Sequence, residues 1–189
     1  MNTPAHLILG AATFAREDQR GSLTAALGGA LAPDLSLYLM AGWHLAVIGT
    51  PADVVFRDLY YSEAWQSIFA IDNSVFVWGS LLALAIFGGW PWLRVFAAAA
   101  LLHVALDFPL HAGDGRPHFW PLSQWVFDSP ASYWDERHFG SILGPMELLL
   151  TVALCVVLIR RFRTMPPRLL FAGLLAFEAA SSGIWYLMF

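Results

Sequence analysis

Residues 145–159 read PMELLLTVALCVVLI, and Glu147 and Thr151 are their only polar side chains. The run shows no alternation of polar and apolar residues, so it does not read as a half-buried strand. Its length approaches the roughly 20 apolar residues that an inserted helix needs. Downstream, Arg160, Arg161, Arg163 and Arg168 close it, and LLFAGLLAFEAASSGIWYLMF (169–189) ends the chain. Upstream, WLRVFAAAALLHVAL (92–106) follows the breaker GGWP (88–91), and VFVWGSLLALAIFG (75–88) extends backward through Ile68 and Phe69. Leu23–Ile48 is apolar but carries Pro33 and Asp34, which predicts a broken or re-entrant helix. His6–Ala15 is too short to cross a bilayer by itself. The expected fold is therefore all-α. It is a polytopic membrane bundle of about five to six helices, with a short or re-entrant helix near the N-terminus and a long aromatic-rich outer loop at 108–144. One integral membrane domain is expected over 1–189.

Composition agrees with that reading. The 189 residues are 58% apolar and 13% charged, against about 25% charged in a soluble domain. All ten basic residues are arginine and the net charge is −4, so the chain lacks the basic patch that nucleic-acid binding requires. The one cysteine, Cys155, excludes a disulfide framework. The start of the chain lacks the basic region of a signal peptide. The arginine-rich loop at 160–168 is expected in the cytoplasm by the positive-inside rule, with Arg94 on the same side and 108–144 opposite. Trp90, Trp92, Trp120, Trp125, Trp134, Trp185 and Tyr186 suit interfacial belts. Thr50-Pro51-Ala52-Asp53 predicts a helix start, with proline at the first helical position of a segment lying at the interface.

Charged groups within a span cost about 2.5–3.5 kcal/mol each, so each asks for a partner. Residues 103–111, HVALDFPLH, hold the richest cluster. His103 and Asp107, four apart, share a helix face, and His111 and His118 follow beyond the break at Pro109. Imidazole and carboxylate at this spacing can close on one divalent ion or simply hydrogen bond at a helix end. The alternation of helices brings His6 and Asp34 to a similar depth, and the convergence favours the ion. Glu147, read as the third residue of a helix beginning at Pro145, fits either a first-turn carboxylate facing the helix dipole or a general base. Glu178 lies deep in the last helix, where His44 or Ser181 could pair with it. Arg116 and Arg137 in the outer loop fit either solvation or a substrate phosphate or carboxylate.

Together these motifs resemble a known group. His6 with Gly10, the run GALAPD (29–34), and HVALD (103–107) followed by FWPLS (119–123) are similar to a metal-dependent hydrolase family of bacterial inner membranes, described as LexA-binding. They also resemble the His/Asp pattern of zinc-dependent phospholipase C. The resemblance spans about residues 5–125. The family's middle His-x-x-x-Thr-His-Ser motif aligns here with residues 70–74, so Asn73 stands where the family has histidine.

The resemblance implies a hydrolase holding a divalent metal, zinc first, on His6, Asp34, His103 and Asp107. His111, His118 and Glu147 are then the catalytic candidates. The expected substrate is a lipid-like ester or phosphoester, met among membrane lipids at the outer face of a bacterial inner (cytoplasmic) membrane. The alternative is a non-catalytic multi-pass subunit or scaffold, in which the His/Asp site is structural or vestigial and a second membrane protein is the partner.

Overall fold

The computed structural model describes residues 1–188, with side chains described as far as Ser181. The interfacial roles expected for Trp185 and Tyr186 thus fall outside the described side chains. The described residues form helices and no strands: α1 (Thr3–Phe14), α2 (Ser22–Trp43), the short α3 (Ala52–Val54), α4 (Glu63–Asp72), α5 (Val75–Phe87), α6 (Pro91–Asp107), α7 (Gly140–Arg161) and α8 (Met165–Met188). Among the described residues, three stretches are long and apolar enough to cross a membrane: Ser22–Ile48, Glu63–Phe87 and Gly140–Arg161.

The packing is inverted relative to a soluble protein. Large side chains face outward, with Phe87 90%, Leu149 70% and Leu39 64% exposed. The fully buried positions are largely alanines, among them Ala5, Ala11, Ala26, Ala97 and Ala100. Small residues let helix backbones approach where lipid removes the hydrophobic drive for association. A Cβ built on Gly29 would sit 2.0 Å from the Phe96 carbonyl oxygen, so α2 and α6 touch backbone to backbone there.

The first helix is not a peripheral segment. α1 is only 12 residues long, about 18 Å. It nevertheless packs against α2, α6, α7 and α8, with His6, Ile8 and Ala11 buried. Its last carbonyls, on Ala11, Ala12 and Ala15, accept from one Arg161 nitrogen at 3.4, 2.7 and 2.9 Å. That contact satisfies acceptors a helix end otherwise leaves open.

The structure corrects several local expectations. α2 is not broken at Pro33: the helix runs through it and continues as a π-turn over His44–Ile48. Proline removes an N–H and crowds the carbonyls of the preceding turn, which neighbouring helices can satisfy instead. The Ala30 carbonyl, in that turn, accepts from His103 Nδ1 at 2.7 Å. Pro51 is the N-cap of α3 and not its first helical residue. The segment after it is interrupted at Tyr60–Ser62 before α4, which Ser62 caps. α7 begins at Gly140, so Gly144-Pro145 does not break it and the outer connection is shorter than expected. Glu147 is then two turns inside the helix and out of reach of the dipole role.

Candidate metal centre

Four elements meet at the end of the bundle opposite the arginine-rich loop. α1 supplies His6, α2 supplies Asp34, α6 supplies His103 and Asp107, and the following turn supplies His111. His6, His103 and Asp107 are buried, and one donor atom from each lies within 4.8 Å of the others. His6 Nε2 is 2.8 Å from Asp107 Oδ1, and His103 Nε2 is 3.2 Å from Asp107 Oδ2. Asp34 Oδ1 is 3.6 Å from His103 Nε2, and His111 Nε2 is 3.4 Å from Asp107 Oδ2. The Met1 amino nitrogen also reaches Asp107 Oδ1, at 2.6 Å.

The orientation of the His103 ring follows from its surroundings. Its Nδ1–H donates to Ala30, which turns Nε2 toward two carboxylates. That buried nitrogen has no aligned hydrogen-bond partner, and neither does His6 Nδ1. Ring nitrogens gathered on carboxylate oxygens call for positive charge among them, supplied by a ring proton, by the Met1 amine or by a bound cation. Bonds of about 2.0–2.2 Å place neighbouring donors on a tetrahedral ion about 3.3–3.6 Å apart. The 3.2 and 3.6 Å separations around His103 come close to that spacing. The side chains present therefore fit a divalent cation. Asp34 is held in place by Thr3, whose hydroxyl donates to Oδ2 and accepts from Tyr38 at 2.7 Å.

The remaining candidates divide. His111 lies within the cluster's reach, and its Nδ1 is 3.0 Å from Asp114 Oδ2. Burial opposes charge on its ring, but Asp107 and Asp114 outweigh burial and push its pKa to about 9. Tyr133 places its ring edge-on to His111 at 5.6 Å. Burial, then the carboxylates of Asp107, Asp114, Glu147 and Asp34, raise its phenol well above the ordinary value. His118 instead fastens the outer loop: its Nδ1 donates to the Asn73 carbonyl at 2.9 Å, and its own carbonyl accepts from Val75 N. Burial lowers its pKa despite that bond.

Glu147 accepts from Asn2 N at 2.7 Å, one residue from the Met1 amine, and contacts Glu178. Glu178 accepts from Asn2 Nδ2 at 3.1 Å. It is therefore tied to α1 and α7. Ser181 donates to Phe177 O, and His44 lies 3.2 Å from Thr50 Oγ1. Asn73 uses its side-chain amide to donate to Phe69 O at 3.0 Å and Pro33 O at 3.5 Å.

Neither outer-loop arginine points into the cluster. Arg116 donates to the Tyr60 hydroxyl and lies over the Tyr60 and Phe69 rings. Arg137 pairs with Asp135 through Nε at 3.0 Å and Nη2 at 2.8 Å, which holds the Asp135 carboxyl well below its usual range.

Asp114, Tyr133 and the Ala30 carbonyl were not among the sequence candidates. Asp114 stands three residues after His111, a spacing that could have flagged it. The other two depend on the loop's return and on Pro33. No family model, curated protein or solved structure matches the chain.

Proposed function

We propose that this protein is a membrane-embedded, metal-dependent hydrolase of a lipid-like ester or phosphoester, working under the outer leaflet of a bacterial inner membrane. One observation carries the reading: His6, His103 and Asp107 bring donor atoms from two distant helices within 4.8 Å, beside Asp34. The motif resemblance supports the reaction class. A divalent cation held there, with zinc the first choice for this nitrogen and oxygen set, supplies Lewis acidity and lowers the pKa of water toward neutrality.

The chain's own groups do the rest. Ala30 and Thr3 orient His103 and Asp34. His111 holds or moves a proton at Nε2, facing Asp107. The Tyr133 phenol, kept protonated, is a donor at the edge of the cluster. The arginine end, with Arg94, Arg160, Arg161, Arg163 and Arg168, supports a cytoplasmic assignment for that side.

A second reading is favoured by Asn73, whose amide caps α4 and offers no imidazole. There the His/Asp group holds a structural ion within a non-catalytic subunit. Detergent-purified protein loaded with zinc separates the two. Metal-dependent hydrolysis of a long-chain p-nitrophenyl ester or phosphodiester, lost in Asp107→Asn, supports the enzyme. Stoichiometric zinc without turnover of either substrate supports the structural ion. Equal zinc in wild type and His103→Ala/Asp107→Ala removes the site from both readings.

A further inference from the structure

We infer that the arginine end of the bundle carries a seat for the headgroup of an anionic phospholipid, with Arg16 and Arg161 lining the cavity that receives its phosphate. The lipid is held there and not turned over, and the seat lies at the opposite end of the molecule from the His/Asp cluster. Charge is divided unevenly between those ends. Arg16 and Arg20, in the loop between α1 and α2, join the five arginines already placed at this end, and the carboxylates that accompany them are Glu17 and Asp18. The excess is not neutralised within the chain. Arg137, at the other end, makes the one arginine ion pair among the described residues.

Two loops frame a cavity of about 460 Å³, lined by Arg16, Glu17, Asp18 and Arg161. Each loop is closed on itself. In the first, the Ser22 hydroxyl accepts from Arg16 N at 2.9 Å and donates to Arg16 O at 2.8 Å. In the second, Arg168 Nε donates to the Ile159 and Phe162 carbonyls at 3.0 and 2.8 Å. Arg163 N joins the two by donating to Glu17 Oε1 at 2.6 Å, and Arg161 Nη1 joins them again through the carbonyls at the end of α1. Walls fixed in advance lower the cost of binding.

The donors are available. A guanidinium has five N–H groups. Arg161 spends only Nη1, and the Arg16 guanidinium makes no hydrogen bond among the described residues. Two cations on one cavity repel until an anion lies between them, and planar donors of this kind grip phosphate oxygens in pairs. Position selects a lipid over a soluble anion. Arg161 ends the span Gly140–Arg161, which sets the cavity at the bilayer surface. Just beyond it, Met165 and Leu169 are 59% and 63% exposed, an apolar wall that acyl chains use and a free phosphate does not. Basic pockets between membrane helices take such headgroups.

The test is native mass spectrometry of the full chain in neutral detergent, with equal amounts of dioleoyl phosphatidylglycerol and dioleoyl phosphatidylcholine. One phosphatidylglycerol per chain should be retained in preference to phosphatidylcholine. Arg16→Gln, which removes no bond of the fold, should weaken that preference about fivefold, the share of one arginine beside an anionic surface. Arg161→Gln should weaken it further, and where its lost grip on α1 prevents folding, Arg16→Gln decides. Arg57→Gln, remote from this end, should keep the preference. Equal retention of the two lipids overturns the proposal, as does an equal loss in Arg16→Gln and Arg57→Gln, which would mean net charge and no seat. Displacement of the lipid by an equal concentration of inorganic phosphate overturns the lipid assignment in favour of a soluble anion.

Discussion

The imidazole rings of His6 and His103 stack face to face, with centroids 3.6 Å apart and planes 12° from parallel. One ring comes from the first helix and the other from the sixth, and stacking sets their Nε2 edges side by side against Asp107. The arrangement relies on α1 lying at the centre of the bundle, where Gly10 meets Ala30 and Ala26 too closely for any side chain. Replacing one ring therefore changes both donor count and donor direction.

His103→Gln tests this. Glutamine keeps a polar group in a buried slot but loses the pairing of Nδ1 with Ala30 and Nε2 with the carboxylates. Zinc affinity should fall by two orders of magnitude or more in a competition titration. The lost bond to Ala30 should cost about 1 kcal/mol in chemical unfolding. Unchanged zinc affinity would remove His103 from the ligand set.

Gly29→Ala separates packing from ligation. The new methyl would overlap the Phe96 carbonyl, which is backbone and cannot rotate away. About 3 kcal/mol of stability should be lost. Moving α2 off α6 also draws the Ala30 carbonyl from His103, so zinc affinity should drop about tenfold although no ligand is touched. Gly79→Ala is the control: nothing lies within 4 Å of its added carbon, and helix propensity favours alanine by about 1 kcal/mol.

How much of this was legible in the sequence depends on the distance over which each feature is decided. Apolar runs and the breaker at 88–91 are local, and they mark α5 and α6 closely. HVALD is local as well, since four residues fix a shared helix face. Pro33 misled because proline's effect depends on what else can satisfy the loosened turn, and here His103 arrives from a helix far along the chain. Pro145 misled because α7 already begins five residues before it, at Gly140. The central position of α1 was hidden because burial of a short helix is a property of its neighbours. Asn2 and the Glu147–Glu178 contact were equally invisible, since nothing in the sequence aligns α1 with the ends of α7 and α8.

Acid should loosen the outer loop through His118. Burial lowers its pKa, so the folded state favours the neutral ring. The stabilisation is complete above the unfolded value of about 6.5 and is lost as pH falls through it toward the folded value. In thermal unfolding between pH 8 and 5, His118→Gln should show a shallower decline than wild type. Its amide retains a donor for the Asn73 carbonyl. Parallel declines would mean that His118 does not titrate with folding.

Sidedness decides which lipids the cluster can meet, and the native cysteine makes it measurable. Cys155 is 1% exposed, so a membrane-impermeant maleimide should not reach it. Gln124→Cys places a thiol on the exposed outer loop, and Arg163→Cys places one at the arginine end. In intact cells Gln124→Cys should label from outside, whereas Arg163→Cys should label only after permeabilisation. The two positions lie beyond opposite ends of α7, so one reagent reads both faces in one experiment. The reverse pattern would put His6, His103 and Asp107 under the cytoplasmic leaflet. An outer-leaflet lipid would then be excluded as substrate, while the cation chemistry, which depends on the donors alone, would stand.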